Sequence, residues 1–359
     1  MESDRKKPAT LRQVAERAGV SAATASLVLN RKGEISEATR TRVLRAMEAM
    51  NYVPRGEKAR GEDLPADSVH TVRFLKIARH GQTVNRNHSV FISDYIDGMS
   101  MEATRRDYSL QVVTHEGDDI SSILRGMAGA DLRGIVALGT ELSDADIREI
   151  LGCGIPNVII DTHRPFMGGN FVDMDNDQLV HRALDHLMKQ GFRRIGMVSS
   201  YSSVMNFRLR HDAFLRGMAA HRLEIVPDDI LSVESTLEGA YADSVEQITP
   251  GKVADAYLCA NDIIAFGFIR ALRERGIRVP EDVSVIGIDN LPMAAVFDPP
   301  LTSLNVPKQK IGAMAIRILD DLIIAASPQP AVKVLVAGDL VLRESVRLRE
   351  NASRKTASV

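Results

Sequence analysis

Residues 10–52 constrain this chain more than any other stretch, because three short helical patterns separated by tight turns follow one another in a span that permits only a small helical domain. Leu11, Val14, Ala15 and Ala18 fall at i, i+3, i+4 and i+7, one apolar helix face, and Gly19 breaks the pattern. Ser21 is placed to cap the next helix by accepting a backbone N–H, and residues 22–29 are helix-compatible. Gly33 then interrupts, and Ser36 caps a third segment carrying Val43, Leu44, Met47 and Met50. Helix, Gly-containing turn and helix make a helix-turn-helix, whose second helix enters the DNA major groove.

The side chains in this stretch carry a family resemblance. Thr10-Leu11-x-x-Val14-Ala15-x-x-Ala18-Gly19-Val20-Ser21-x-x-Thr24-x-Ser26-x-Val28-Leu29-Asn30, Ile35-Ser36-x-x-Thr39-Arg40-x-x-Val43 and Asn51-Tyr52-x-Pro54 resemble the headpiece of the lactose-repressor/galactose-repressor (LacI/GalR) family. The resemblance implies a DNA-contacting set of Thr10, Ser21, Ala22, Ala23, Thr24, Ser26, Leu27, Asn30, Ser36, Thr39, Arg40, Asn51, Tyr52 and Arg60. Charge is distributed accordingly. Residues 1–61 hold 13 Lys and Arg against 7 Asp and Glu, or +6, and the rest hold 32 against 40, or −8, which together give the net −2. A basic head on an acidic body is the footprint of phosphate binding by one end only.

Residues 55–68 are polar and glycine-containing and read as a linker. Relatives of the resembled family form a hinge helix here with a leucine that wedges into the minor groove. This chain has Ala59-Arg60 in place but Gly61 where that leucine is expected, and glycine costs a short helix about 1 kcal/mol relative to alanine.

From about residue 69, short β-rich runs alternate with amphipathic helical ones. Strands are expected at 72–77, 110–114, 134–138, 157–161, 194–199, 256–259 and 283–288, and helices at 91–106, 179–190, 207–221, 263–275 and 311–325. Strand, helix, strand at this spacing predicts parallel sheets covered on both faces, and a restart near Phe192-Arg193-Arg194-Ile195-Gly196 divides them into two subdomains. Asp175-Asn176, Ala260-Asn261-Asp262, Val279-Pro280-x-Asp282-Val283-Ser284-Val285-Ile286-Gly287-x-Asp289 and Pro300-Leu301-Thr302-Ser303 resemble the periplasmic-binding-protein-like core of the same family. The expected fold is an all-α helix-turn-helix headpiece (1–54), a hinge (55–68) and an α/β core (69–345) of two doubly wound parallel-sheet subdomains, with a flexible tail (346–359). Subdomain 1 is placed at about 69–163 and 293–326, and subdomain 2 at about 164–292 and 327–345. The tail lacks the apolar heptads of a tetramerisation helix, so the resemblance implies a homodimer.

Ligands in open parallel sheets sit beyond the carboxyl ends of strands. Asp161, Asn261 and Asp289 each follow an apolar strand, and Arg208 opens the helix after the 194–199 strand. Carboxylates, an amide and a guanidinium grip vicinal hydroxyls by paired hydrogen bonds, and the resemblance assigns effector contacts to these four positions. Arg79, His80, Arg86 and His88 crowd one loop at the expected cleft mouth, which adds His80 to the set and favours a sugar acid or sugar phosphate over a neutral sugar. Two rivals stand beside the sugar-responsive regulator. One is a purine-type corepressor; the other is an enzyme, since Arg79-His80-Gly81-Gln82-Thr83 resembles the histidine-phosphatase loop, although no second His-Gly pair of that kind follows.

Cys153 and Cys259 lie in apolar stretches, which suits buried thiols in a reducing cytosol better than a disulfide or metal site. No metal, cofactor or catalytic group is expected, no run reaches membrane-spanning length, and a cytoplasmic protein follows. The function expected is sequence-specific binding of double-stranded operator DNA by a non-enzymatic regulator, most simply a repressor, under control of a small effector.

Two consequences are measurable on the headpiece. Its operator affinity is expected to fall steeply as salt rises, because neutralised phosphates release counterions. Ala22, Ala23 and Leu27 can touch thymine methyls but cannot read guanine by bidentate hydrogen bonds, so a selected operator is expected to be A·T-rich opposite them. A consensus dominated there by G·C would contradict the assignment of the reading helix.

Overall fold

In a computed structural model, the structure describes residues 11–21, 24, 39, 41–43, 45–46, 70–79, 89–127 and 131–348. Two compact units are present, Met1–Ser68 and Val69–Val359.

In the first unit, helix α1 (Leu11–Ala18) buries Val14, Ala15 and Ala18, and Val43 and Ala46 of a further helical stretch are buried as well. Gly19, at φ +64, closes α1 with its N–H on the Glu16 carbonyl while Val20 N–H reaches the Ala15 carbonyl. That left-handed conformation is the reason glycine stands there. Ser21 Oγ accepts from Thr24 N at 3.1 Å, the cap that the sequence predicts.

The second unit is built from two six-stranded sheets. The strands of the first are β1 (His70–Ala78), β2 (Tyr108–Glu116), β3 (Leu132–Leu138), β4 (Asn157–Ile160), β5 (Phe171–Met174) and β11 (Lys333–Val336), in the order β11-β5-β4-β3-β1-β2 and all parallel. Those of the second are β6 (Ile195–Ser200), β7 (Ile230–Val233), β8 (Ala256–Cys259), β9 (Ser284–Ile288), β10 (Thr302–Asn305) and β12 (Asp339–Val341), in the order β12-β10-β9-β8-β6-β7 with only β12 antiparallel. Central strands such as β4 and β8 are buried along their whole length, and β3 is buried from Gly134 onward, because helices cover both faces.

In the first lobe, α2 (Ser89–Arg105) packs along α10 (Lys308–Ile324), and Gly98 and Gly312 allow the backbones to touch, since a Cβ at either would overlap the partner's main chain. Between them Glu102 is buried and accepts from Arg106 at 3.1 Å and Arg317 at 2.9 Å. The Arg317 hydrogen bonds, partly opposed by burial and aided by Arg106, pull its carboxyl down to about 2. Helices α3 (Ile120–Arg125) and α4 (Asp144–Leu151) contribute Ile120, Ile123, Ile147 and Ile150 to a separate apolar cluster with Leu75, Ile77 and Ile135. In the second lobe, α5 (Asn176–Lys189) pairs with α6 (Met205–Ala220), α7 (Leu237–Gln247) pairs with α8 (Asp262–Glu274), and the short α9 (Met293–Val296) follows β9.

The lobe limits differ from those the sequence predicts. β5 and β11 belong to the first sheet although they lie beyond 163 and 327, and β10 belongs to the second although it lies inside 293–326. All three are four-residue strands, and β5 contains Asp173, so none shows a sustained apolar pattern, and strand pairing rather than sequence position decides membership. The chain consequently passes between lobes three times, after β5, after β10 and after β11. These crossings are stitched together: Gln178 exchanges two 3.2 Å hydrogen bonds with the Gly338 backbone, and a Cβ at Gly338 would overlap the Asn305 carbonyl and Leu179.

Replacing Gly338 with alanine is therefore expected to force the crossings apart and lower stability by about 1–3 kcal/mol. Gly168→Ala, where the new methyl meets nothing, is expected to stay within about 0.5 kcal/mol of the parent. Equal urea midpoints for the two variants would show that the crossings are not held in contact.

Candidate functional site

On the headpiece, Ser21, Thr24 and Thr39 of the DNA-contacting set are described, with Ser21 exposed and Thr24 and Thr39 half-buried. Thr10, Ala22, Ala23, Ser26, Leu27, Asn30, Ser36, Arg40, Asn51, Tyr52 and Arg60 lie outside the described residues, as do the hinge and the tail from 349. Arg17, Arg42 and Arg45 line one groove of about 250 Å³ and are all exposed. Nothing in their sequence spacing singles these three out; helix packing brings them to one side.

In the core, the carboxyl ends of β4 and β9 turn sharply. Asp161 has φ 60 and Asp289 φ 115, conformations rare outside glycine, and the turns direct both side chains into the space between lobes. Asp161 Oδ1 accepts from the Tyr95 hydroxyl at 2.9 Å, and Oδ2 from the Thr140 hydroxyl. Asn206, in the first turn of α6, reaches across from the second lobe: its Nδ2 lies 3.2 Å from the Asp161 carbonyl, 3.3 Å from Asp161 Oδ1 and 3.3 Å from Asp173 Oδ1.

Arg210, on the next turn of α6, is 3 % exposed and donates to Asn176 Oδ1 at 2.9 Å, the Ala260 carbonyl at 2.5 Å and Asp289 Oδ1 at 3.4 Å. Lys308 Nζ donates to the Asp289 carbonyl at 2.7 Å. Asn261 caps α8, its Oδ1 accepting from Ile264 N at 2.8 Å, and it also lines the cleft. Asp262 holds the loop after β9 through Leu291 N at 2.7 Å and the Ser303 hydroxyl at 2.6 Å.

Phe91, Ile92, Thr140, Asp161, Asn206 and Arg210 are among the walls of the resulting cavity, which measures about 30 Å³. That volume admits about two waters and no sugar or heterocycle, so a ligand enters only if the lobes part. Burial raises the Asp289 carboxyl, with Arg210 and Lys308 opposing, and raises Asp262 to about 8, with Asp289 adding to the effect. Asp161 and Asp173 are both pushed up by burial, each further by a neighbouring carboxylate.

Three of the four strand-end residues, Asp161, Asn261 and Asp289, therefore meet in one cavity. Arg208 does not. It is exposed and lines a separate outer cleft of about 1510 Å³ between the lobes, whereas Arg210, two residues on, turns inward. Two residues on a helix are about 200° apart, so only one of these arginines can face the cavity. Arg79 is also no cleft cation: its guanidinium is bound to Asp146 and the Asp118 carbonyl, each at 2.6 Å. His80, Arg86 and His88 lie outside the described residues. Of the cations that the acidic-sugar expectation rests on, Arg79 is engaged by Asp146 and Arg208 faces the outer cleft, beside Arg148 and Arg164, rather than the inner cavity. Asn206, Asp173, Tyr95 and Thr140 escape sequence reasoning because only the folded turns bring them together. Among the described residues, no three His, Cys, Asp or Glu side chains are placed to hold a metal ion, and no helix is long and apolar enough to cross a membrane.

A helical DNA-binding headpiece and a bilobed α/β core closing on a polar cleft define a ligand-controlled DNA-binding regulator. Residues 10–55 match the family profile "Bacterial regulatory proteins, lacI family", and residues 184–346 match "Periplasmic binding protein-like domain". The HTH-type transcriptional repressor PurR of Vibrio parahaemolyticus is 30% identical over 87% of this chain and 91% of its own length. A solved transcriptional regulator CelR–cellobiose complex is 26% identical with a TM-score of 0.68, covering 94% of this chain and 99% of that one. The Lac repressor bound to ONPG in its repressed state shares the fold at a TM-score of 0.69, 22% identity, and coverage of 95% and 100%.

The chain belongs to the LacI family: it is a DNA-binding transcriptional repressor and not an enzyme. The phosphatase alternative falls with that assignment, and Arg79, the phosphate-holding residue it requires, is spent on Asp146.

The two arginines are separable by experiment. Arg210→Ala leaves Asp289 buried without its partner and is expected to lower stability by about 3–5 kcal/mol. Arg208→Ala is expected to stay within about 0.5 kcal/mol of the parent in urea unfolding, as for an exposed side chain. The reverse ranking would exchange their assignments.

Proposed function

We propose that this repressor is controlled by a small hydroxyl-rich effector held between its lobes by Asp161, Arg210, Asn261 and Asp289. The observation that carries this is the convergence of buried polar side chains from both lobes at strand ends, on a cavity that fills with their own hydrogen bonds when closed. Such a site has different contacts to offer in the open and closed forms, which is the requirement for a ligand to shift an equilibrium. Coupling of this kind supplies about 1–3 kcal/mol between effector and operator sites.

Sugar-like ligands fit because carboxylate, amide and guanidinium groups pair with adjacent hydroxyls, while Phe91 and Phe207 supply apolar walls for a ring face. The structural relative whose complex contains cellobiose shares this architecture over nearly its whole length. The headpiece binds double-stranded operator DNA through the residues assigned above, with Arg17, Arg42 and Arg45 added as phosphate contacts. The working form is a homodimer in the cytoplasm, in keeping with the Lac repressor dimer bound to operator among its structural relatives.

A screen of sugars against operator-bound protein by fluorescence anisotropy, followed by calorimetry on the best ligand, tests this function. Asp289→Asn is expected to weaken that ligand by about thirtyfold or more, the ordinary loss when a buried charged partner is removed, while operator affinity without ligand stays unchanged. Unaltered ligand affinity in this variant would place the effector elsewhere.

A further inference from the structure

Beside the cavity wall, where Asn206 covers Asp161 and Asp173 from the second lobe, one carboxylate oxygen is left without a hydrogen-bond donor. Arg210 donates to Asn176, the Ala260 carbonyl and Asp289. Lys308 is committed to the Asp289 carbonyl and lies 3.6 Å from Asp94. Among the described residues, no lysine or arginine nitrogen is hydrogen-bonded to Asp161 or Asp173. Asp161 is met by the hydroxyls of Tyr95 and Thr140, and Asp173 by the Met174 N–H at 2.9 Å and by Asn206. Asn206 Nδ2 has two hydrogens, yet three acceptors of these residues and none other on the first lobe lie within its reach. Asp173 Oδ2 is fully buried with no partner at all.

Two carboxylates side by side in a dry site are stable only if protons or a cation join them. We propose that the effector carries an ammonium group that binds between Asp161 and Asp173, so that the ligand class is a small hydroxylated amine of the amino-sugar type. An ammonium offers three N–H donors and a positive charge, which matches the unpartnered Asp173 oxygen and the overshared Asn206 amide together.

This rests on the cleft being the effector site, and it reverses the preference for an anionic ligand drawn from the arginine-rich loop. The other groups facing the pair do not alter the balance. Tyr95 and Asp94 come from α2, Thr140 from the end of β3, Asn206 and Arg210 from α6, Asp289 from β9 with Asp262 behind it, and Lys308 from α10. Their sum is more negative than positive when all are ionised.

Without ligand, burial raises both carboxyls, Asp161 to about 6 and Asp173 further, which favours a proton on the pair. Binding of an ammonium then expels protons, and the sign follows: the ionised carboxyls that attract the amine are lost as pH falls through their raised values, so amine affinity falls on acidification.

The test uses the full chain and matched pairs: D-glucosamine with D-glucose, D-galactosamine with D-galactose and D-mannosamine with D-mannose, plus D-glucuronate. Calorimetry is run at about pH 5.5 and about pH 7, in two buffers of different ionisation enthalpy. At least one amine is expected to bind about tenfold or more tighter than its hydroxyl twin, to release protons on binding, and to lose that advantage at the lower pH. Asp173→Asn is expected to keep its melting temperature and lose the amine preference.

A tighter hydroxyl twin, tighter glucuronate, binding without proton release, or no binding by any amine would each overturn the proposal. An intact amine preference in Asp173→Asn would do the same. If a neutral sugar binds and releases operator in an Asp289-dependent manner, the cleft assignment survives while the amine proposal fails. If Asp289→Asn leaves every ligand unaffected, the cleft assignment itself fails.

Discussion

Carboxylates taken out of water must be satisfied, and the core of this repressor is arranged around doing so where its two lobes meet. An isolated buried carboxylate is worth several kcal/mol against folding, so its neighbours have to come from whichever element can reach. Asn206 reaches from the second lobe to Asp161 and Asp173 in the first, and Arg210 ties Asp289 to Asn176 beside the first crossing. The left-handed backbones of Asp161 and Asp289 are tolerated because these contacts fix them; such conformations cost about 1–3 kcal/mol each when nothing does.

In the proposed function the same arrangement serves as the switch. Three crossings, held together through Gly338, Gln178 and Asn305, allow the lobes to turn as bodies rather than deform. Each lobe has its own rigid spine, the α2–α10 contact with Glu102 clamped between arginines in the first and the paired helices in the second. Under the proposed function, the polar seam between them is where an effector competes with Asn206 for the same acceptors. A ligand that outbids the protein's own hydrogen bonds changes the lobe equilibrium; one that merely fits the space does not.

Much of the fold is legible from local pattern. The β6, β8 and β9 runs and the second half of β3 are buried because both faces are covered, β1 keeps an apolar series through Val72, Phe74, Leu75, Ile77 and Ala78, and α1, α5, α6, α8 and α10 show helical spacing, so their presence follows from burial pattern. The short strands β5, β7, β10, β11 and β12 are not legible, since three or four residues carry no period and Asp173 interrupts one of them. The same limit explains the misplaced lobe boundaries. In the site, Asp161, Asn261 and Asp289 could be read because each ends an apolar strand, and strand ends in parallel sheets face ligands. Arg208 was the natural choice beside them, yet the helix phase turns Arg210 inward instead.

The sequence by itself determined the helix-turn-helix headpiece, the pair of α/β lobes, the family, and the strand-end residues, because capping, periodicity and motif spacing are local properties of the chain. Only the tertiary structure decided which sheet each short strand joins, which arginine enters the cleft, and that Asp161 and Asp173 share one seam with Asn206. These depend on partners from 12 to 162 residues away in sequence, as Asp161 and Asp173, Arg210 and Asp289, and Phe171 and Lys333 are, and no local pattern encodes a contact that distant.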